Sequence, residues 1–196
     1  PCGTLFPYTT LFRSLRSISY AGSPMPVEIL KQCIRKFGNI LSQAYGMTEA
    51  LGATQLAEAD HHIEGERSRL LSSAGKPILC DEIDIFDEND KPVKTGQVGE
   101  IVVRGKHVMK GYWKNPELTQ QTLRGGRYHS GDMGYMGEDD FLYVLGRFKS
   151  LLIGNDGEKY SPEGIEEAIV EQSPYIQQMM LYNNQNPYTS AMVVPD

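Results

Sequence analysis

Between residues 15 and 49 the chain changes its hydrophobic period twice, and that change decides which folds are open to it. Leu15 to Tyr20 reads as a short β-like run ending in the turn Ala21-Gly22-Ser23-Pro24. Val27, Leu30, Ile34 and Phe37 then recur at helical spacing, and Gly38 stops the helix. A second strand near Ile40 to Gln43 delivers Tyr45-Gly46-Met47-Thr48-Glu49 at its carboxyl end, which is where open α/β sheets place ligands. The apolar stripe of the helix reads as core, so the opening third predicts an α/β layer.

From Lys76 to Leu145 the pattern changes to strands and turns. Ile83 to Phe86 is closed by Asp87-Glu88-Asn89-Asp90, Glu100 to Val103 is bounded by Gly99 and Gly105, and Phe141 to Leu145 follows Glu138-Asp139-Asp140. A small barrel-like β subdomain accounts for this stretch. One or two helical turns are expected from Asn115-Pro116, with asparagine as cap and proline in the first turn. Tyr112 and Trp113 read as packing residues. After Gly146 a second domain is expected, with a strand at Ser150 to Ile153, a glycine turn and a helix capped by Ser161 with Pro162 in its first turn. Ile165, Ala168 and Ile169 would form the inner face of that helix. Ile176 to Tyr182 and Tyr188 to Val194 flank Asn183-Asn184-Gln185-Asn186-Pro187, a hairpin or loop. The predicted fold class is therefore α/β with mixed elements. It comprises the end of an open α/β layer, a small β-barrel-like subdomain over about 76–145 and the start of an α+β C-terminal domain over 147–196. Residues 1–14 fit no element and read as a non-native leader.

Charge and cysteine usage exclude several function classes. The net charge of -6, without clustered lysine or arginine, argues against a nucleic-acid surface, which must neutralise phosphates. Cys2, Cys33 and Cys80 are widely spaced and lack a Cys-x-x-Cys pattern, so neither a zinc site nor a disulfide framework is expected, and a reduced cytoplasmic setting fits. No run approaches the roughly 18 continuous apolar residues of a membrane span, so any membrane contact would be peripheral. His61 and His62, with Glu64 and Glu66 nearby, read as a solvated loop, because adjacent histidines face different ways.

Three separated stretches carry chemistry suited to a nucleotide: Tyr45 to Glu49, Tyr128-His129-Ser130-Gly131-Asp132 and Gly146-Arg147-Phe148-Lys149. Tyr45 offers a face for a purine, and Gly46 lets backbone come close to a ligand. Thr48 can donate to a phosphate oxygen. Glu49 is a hard oxygen donor of the kind magnesium takes when it shares phosphates and keeps waters. Asp132 can accept from two vicinal hydroxyls, and Arg147 presents a planar fork for phosphate or ribose oxygens. Taken singly, the same residues also read as a tight turn, a solvated carboxylate and a surface arginine.

The ordered set resembles the acyl-adenylate-forming (AMP-binding) enzyme superfamily. The resemblance runs from about Leu15 to the end, through Tyr20-Ala21-Gly22-Ser23-Pro24, the Tyr45 stretch, Gly75-Lys76-Pro77 and Gly99-Glu100-Ile101-Val102-Val103-Arg104-Gly105. It continues through Val108 to Trp113, the Asp132 and Arg147 stretches, and Gly157-Glu158-Lys159-Tyr160-Ser161-Pro162-Glu163. The last of these is most similar to bacterial long-chain acyl-CoA synthetases. The resemblance implies a two-step reaction: a carboxylate attacks the α-phosphate of ATP and expels pyrophosphate, then the thiol of coenzyme A takes the acyl group. It implies that residues 15–146 are the C-terminal part of the large AMP-binding domain and that 147–196 begin the small C-terminal domain.

Carried over residue by residue, Tyr45 packs on adenine, Thr48 holds the α-phosphate and acyl carboxylate, Glu49 binds Mg2+, and Asp132 holds the ribose hydroxyls. Arg147 contacts the same ribose, and Lys149 matches the hinge about which the small domain swings. Gly157 lines the pantetheine tunnel, while Gly22 and Ser23 lie beside adenine and the acyl pocket. The family's Ser/Thr/Gly-rich phosphate loop and its C-terminal lysine do not occur in this sequence, and Ser130 stands where threonine is commoner. Two other readings stay open: a peptide-synthetase-type adenylation domain, and a catalytically inert AMP-binding fragment.

Overall fold

A computed structural model describes residues 14–78, 82–155, 159–160 and 162–196. Residues 1–13, Cys80, Gly157 and Ser161 lie outside the described residues, and so do the expectations placed on them.

The first sheet holds β1 (Ile18–Ala21), β2 (Leu41–Met47), β3 (Ala50–Leu56) and β4 (Lys76–Pro77), in that spatial order. β1 runs parallel to β2 in the register Ala21 to Ala44, a pairing that requires a crossover, here the helix α1 (Val27–Phe37). The helical stripe behaves largely as its spacing predicts. Leu30 and Ile34 are buried against Leu41 and Leu71, with Val27 partly covered, whereas Phe37 stays exposed at the last turn. Gly38, at a φ of 83°, ends the helix and donates its N–H to Ile34 O at 2.9 Å.

Two differences from the sequence reading matter for the site. β2 runs on to Met47, so Tyr45 and Gly46 lie within the strand, and Thr48 and Glu49 form the turn into the antiparallel β3. That strand was not foreseen, because Ala50, Gly52 and Ala53 are small residues of low β-propensity. They are selected by fit: Ala50 and Ala53 are completely buried, and a Cβ on Gly46 would lie 2.7 Å from Gly52 N. Gly46 is thus a close-approach glycine between strands and not a turn residue.

The second sheet is an antiparallel meander of β5 (Glu82–Phe86), β6 (Gly99–Arg104), β7 (Tyr128–Met136) and β8 (Leu142–Arg147). Among the described residues it is open, with β5 and β8 at its edges, so the barrel-like expectation resolves into a twisted sheet without closure. Between β6 and β7 lies α2 (Pro116–Thr122), where the Asn115 side chain accepts from Leu118 N at 3.1 Å, the expected cap. Ala50, Ala53 and Ala74 from the first layer pack with Ile85, Ile101, Val103, Tyr128 and Leu142 from the second. This shared core fixes β2 against β7.

Beyond β8 come a 3-10 turn (Phe148–Ser150), β9 (Leu152–Ile153), β10 (Lys159–Tyr160), α3 (Glu163–Gln172), β11 (Ile176–Tyr182) and β12 (Ser190–Pro195). β11 and β12 form the hairpin read from the sequence, with Tyr182 opposite Ser190. The inner face of α3 does not follow the sequence reading: Ile165, Ala168 and Ile169 are exposed. The helix meets β11 on its other side, where a Glu166 carboxylate oxygen accepts the Leu181 N–H. That hydrogen bond ties the helix to β11. Among the described residues no helix is long and apolar enough to cross a membrane.

Candidate functional site

Asp132 is the residue on which the separated motifs converge. Tyr45 Oη donates to its Oδ2 at 2.8 Å, and Arg147 Nε lies 3.0 Å from its Oδ1. The second contact follows from register, since Asp132 and Arg147 are direct partners across β7 and β8. The carboxylate is 10% exposed and the arginine side chain 66%, so the cation covers the carboxylate from the solvent side. A carboxylate has about four acceptor positions, and capacity remains after these two bonds.

A local fault in the ladder brings Asp132 to this point. Glu100 pairs with Met133 and Val102 with His129, so Ile101 alone faces Ser130, Gly131 and Asp132. Such a bulge takes backbone amides out of the ladder. Gly131 adopts a φ of 72°, open to glycine without a Cβ clash, and its N–H donates to Glu100 Oε1 at 3.0 Å. The Asp132 N–H donates to Ser130 Oγ at 3.0 Å, and the Ser130 hydroxyl donates to Ile101 O at 2.6 Å. The serine hydroxyl therefore has a structural use that a threonine would also serve.

Glu49 lies in the β2–β3 turn, and Tyr112 Oη donates to its Oε1 at 2.8 Å. Burial, then the bond to Glu49, raises the Tyr112 phenol above its ordinary value. Burial raises Tyr128 further, helped by the Glu49 charge. Burial also lifts Tyr45, with the Asp132 charge next in weight. All three phenols thus stay protonated, and two of them donate, Tyr45 to Asp132 and Tyr112 to Glu49. Tyr112 was expected only to pack, and its role was hidden because the partner lies 63 residues away. Trp113, also expected to pack, is 88% exposed, with Lys114 Nζ at 5.8 Å from its ring centre. The neighbouring backbone is occupied instead by Thr119, whose Oγ1 accepts the Tyr112 N–H at 2.9 Å.

The remaining candidates are placed as follows. Ala21 pairs with Ala44, so Gly22 and Ser23 leave β1 beside the point where Tyr45 stands on β2. Thr48 is exposed at the tip of the β2–β3 turn. Lys149 lies in the 3-10 turn two residues after Arg147, with its side chain outside the described residues. Gly157 is likewise outside them. The structure therefore brings Tyr45, Asp132 and Arg147 into direct contact and sets Glu49 at the next turn of the same strand.

Two cavities lie elsewhere. One of about 370 Å³ is lined by Arg104, Lys106, Met109 and Arg127, among others, and one of about 610 Å³ by Leu152, Ile153, Met180 and Tyr182, among others. The Tyr45–Asp132 contact is in the wall of neither.

Of the adjacent histidines, His61 has partners on both ring nitrogens, whereas His62 Nε2 is buried without one among the described residues. His61, expected in a solvated loop, is 2% exposed; its Nε2 lies 3.0 Å from Tyr20 Oη and its Nδ1 2.8 Å from Ala57 O. Burial lowers its pKa, which suits a neutral ring accepting from one partner and donating to the other. Asp90, Glu100 and His129 hold possible metal-ligand atoms within 4.8 Å of one another. Arg124 already bonds Asp90 through Nε and Nη2, and its Nη2 lies 3.2 Å from Glu100. The three side chains are already engaged in an ion-pair and hydrogen-bond network with Arg124. For Mg2+ the fitting group is Glu49, a single carboxylate at a turn, which suits an ion completed by phosphates and water.

The AMP-binding enzyme family matches residues 5–113, a span that opens inside the leading stretch 1–14. The medium/long-chain-fatty-acid–CoA ligase FadD8 of Mycobacterium tuberculosis is 35% identical over 165 residues, covering 84% of this chain and 28% of the ligase. The 2-succinylbenzoate–CoA ligase of Geobacillus kaustophilus is 40% identical over 157 residues, covering 80% and 30%. The o-succinylbenzoate CoA synthetase of Bacillus subtilis, solved with its acyl-adenylate intermediate OSB-AMP, superposes with a TM-score of 0.79 at 29% identity, covering 94% of this chain and 37% of that one. Its complex with ATP and magnesium ion gives 0.76 at 27%, covering 95% and 39%. The chain thus spans about a third or less of the curated relatives it matches. With a family match over more than half of its residues, and with the same fold as a synthetase solved around an acyl-adenylate, this chain belongs to the AMP-binding enzyme family.

Proposed function

We propose that the chain is the part of an ATP-dependent acid–CoA ligase that holds the adenosine and ribose and carries the hinge. The convergence of Tyr45 and Arg147 on the Asp132 carboxylate carries this reading. In it, the vicinal ribose hydroxyls donate to Asp132, with Arg147, the more exposed of the pair, turning aside to admit them. Tyr45 packs on adenine while its phenol holds the carboxylate in place, and Gly22 and Ser23 border the same base. Thr48, exposed at the turn, donates to the α-phosphate as the substrate carboxylate attacks it and pyrophosphate leaves. Glu49, oriented by Tyr112, would hold Mg2+, which supplies neutralisation of phosphate charge. Positioning and charge stabilisation do most of the catalytic work. Lys149 is the pivot that exchanges the adenylation arrangement for the one in which the thiol of coenzyme A meets the acyl group, with Gly157 on the pantetheine path.

The substrate class proposed is a long-chain fatty carboxylate. What supports it is the Gly157-to-Glu163 stretch and the likeness to the fatty-acid–CoA ligase of Mycobacterium tuberculosis. The likeness to 2-succinylbenzoate–CoA ligases favours a second reading, an aromatic acid. Acid-dependent exchange of labelled pyrophosphate into ATP decides between them, measured on the polypeptide extended to its relatives' length across acetate, decanoate, palmitate and 2-succinylbenzoate. Exchange with palmitate and not with succinylbenzoate is expected. No exchange with any acid would defeat the ligase reading. Taken alone, this chain is proposed to bind AMP weakly and to turn nothing over.

A further inference from the structure

We infer that Glu100 is a positioning residue for Asp132, bracing the surplus of β7 that aims the carboxylate at the nucleotide. The inference rests on the proposed ribose role of Asp132. Its grounds are geometric. A regular ladder would give the Gly131 N–H a backbone carbonyl on β6; the three-against-one bulge opposite Ile101 removes that partner. An amide half withdrawn from water loses stability without an acceptor, so the bulge is favoured where a side chain replaces the lost carbonyl. Glu100 Oε1 makes that replacement at 3.0 Å.

The other Glu100 oxygen anchors the brace. Oε2 lies 2.8 Å from His129 Nδ1 and 3.2 Å from Arg124 Nη2, and Arg124 is tied in turn to Asp90 in the turn after β5. Three donors, two from β7 and one from the turn before it, thus meet one carboxylate. A glutamine could serve only part of this set, since its amide nitrogen accepts nothing. Asp132 keeps its regular pairing to Arg147 on the β8 side. On the β6 side its place depends on Ser130 and on Glu100 through Gly131. Removing the brace would let the bulge relax and move the Asp132 carboxylate off Tyr45, with no change in any group that touches ligand.

Two measurements on this chain test the inference. Amide hydrogen exchange by 15N NMR reads the brace without any ligand: Glu100→Ala should speed exchange at Gly131 by at least about tenfold, and Glu100→Gln, which keeps one carbonyl oxygen, by less. Nucleotide titration reads the positioning. Glu100→Ala should weaken AMP about tenfold and leave 2′,3′-dideoxy-AMP unchanged, and should do nothing further in an Asp132→Ala background, because it acts only through that carboxylate. Equal weakening of both nucleotides, or a loss that adds to Asp132→Ala, overturns the inference. So does unchanged Gly131 exchange. If the unsubstituted chain binds AMP and the dideoxy analogue equally, the ribose role of Asp132 fails instead, and the exchange result alone then decides the brace.

Discussion

Tyr45 Oη donates to Asp132 Oδ2 at 2.8 Å, joining strands of two different sheets across 87 residues of sequence. The bond sits where the shared alanine-rich core presses β2 against β7, so the geometry of the candidate site is inherited from packing. Its loss should be felt both in stability and in binding.

Tyr45→Phe keeps the ring and removes only the donor. A hydrogen bond to a charged group contributes about 1.5–3 kcal/mol, and the midpoint of urea unfolding should fall accordingly. An unchanged midpoint would mean that water replaces the phenol at no cost.

Asp132→Ala removes the acceptor proposed for both ribose hydroxyls. Two charge-assisted hydrogen bonds of about 1.5–3 kcal/mol each would be lost, so AMP affinity read by isothermal titration should fall at least about a hundredfold. AMP affinity equal to that of the unsubstituted chain would contradict the assignment.

His61 gives a pH dependence whose sign is fixed. Burial lowers its pKa in the fold below the ordinary value of 6.5, so the unfolded chain binds the extra proton first as pH falls. The stability it contributes is fully present above about pH 6.5 and declines as pH drops through the interval down to the lowered folded value. Urea midpoints at pH 7.5 and 5.5 should converge in a His61→Gln chain relative to the unsubstituted one. Equal slopes in the two chains would show that His61 does not carry the effect.

Trp113 is the single tryptophan and stands almost wholly in solvent. Its fluorescence should be quenched by iodide nearly as fully as that of free tryptophan amide, and Trp113→Ala should change unfolding free energy by no more than about 0.5 kcal/mol. Strong protection from iodide would restore the packing role read from the sequence.

The parts of the fold legible in the sequence were those whose signal is local. The α1 stripe, the Asn115 cap and the β11–β12 hairpin each declare themselves within a dozen residues. β3 did not, because Ala50, Gly52 and Ala53 are chosen for how closely neighbouring strands approach. The inward face of α3 was misread: Ile165, Ala168 and Ile169 are exposed, and the helix is tied to β11 through Glu166 and Leu181, a contact invisible to periodicity. In the candidate site, Tyr45, Asp132 and Arg147 could be named from motif order, and the structure brings them into contact. Tyr112, Glu100 and His61 could not be assigned their partners, since each acquires its function from a residue at least 29 positions away.

The β11–β12 hairpin carries a practical consequence. It is a two-stranded ribbon that pairs with no further strand among the described residues, and Met180, Tyr182, Met192, Val193 and Val194 are all exposed. Ribbons of this kind template further strands, so concentrated solutions of the polypeptide should self-associate through its final twenty residues first. Dilution, or a lysine placed on β12, is then the route to a monodisperse sample.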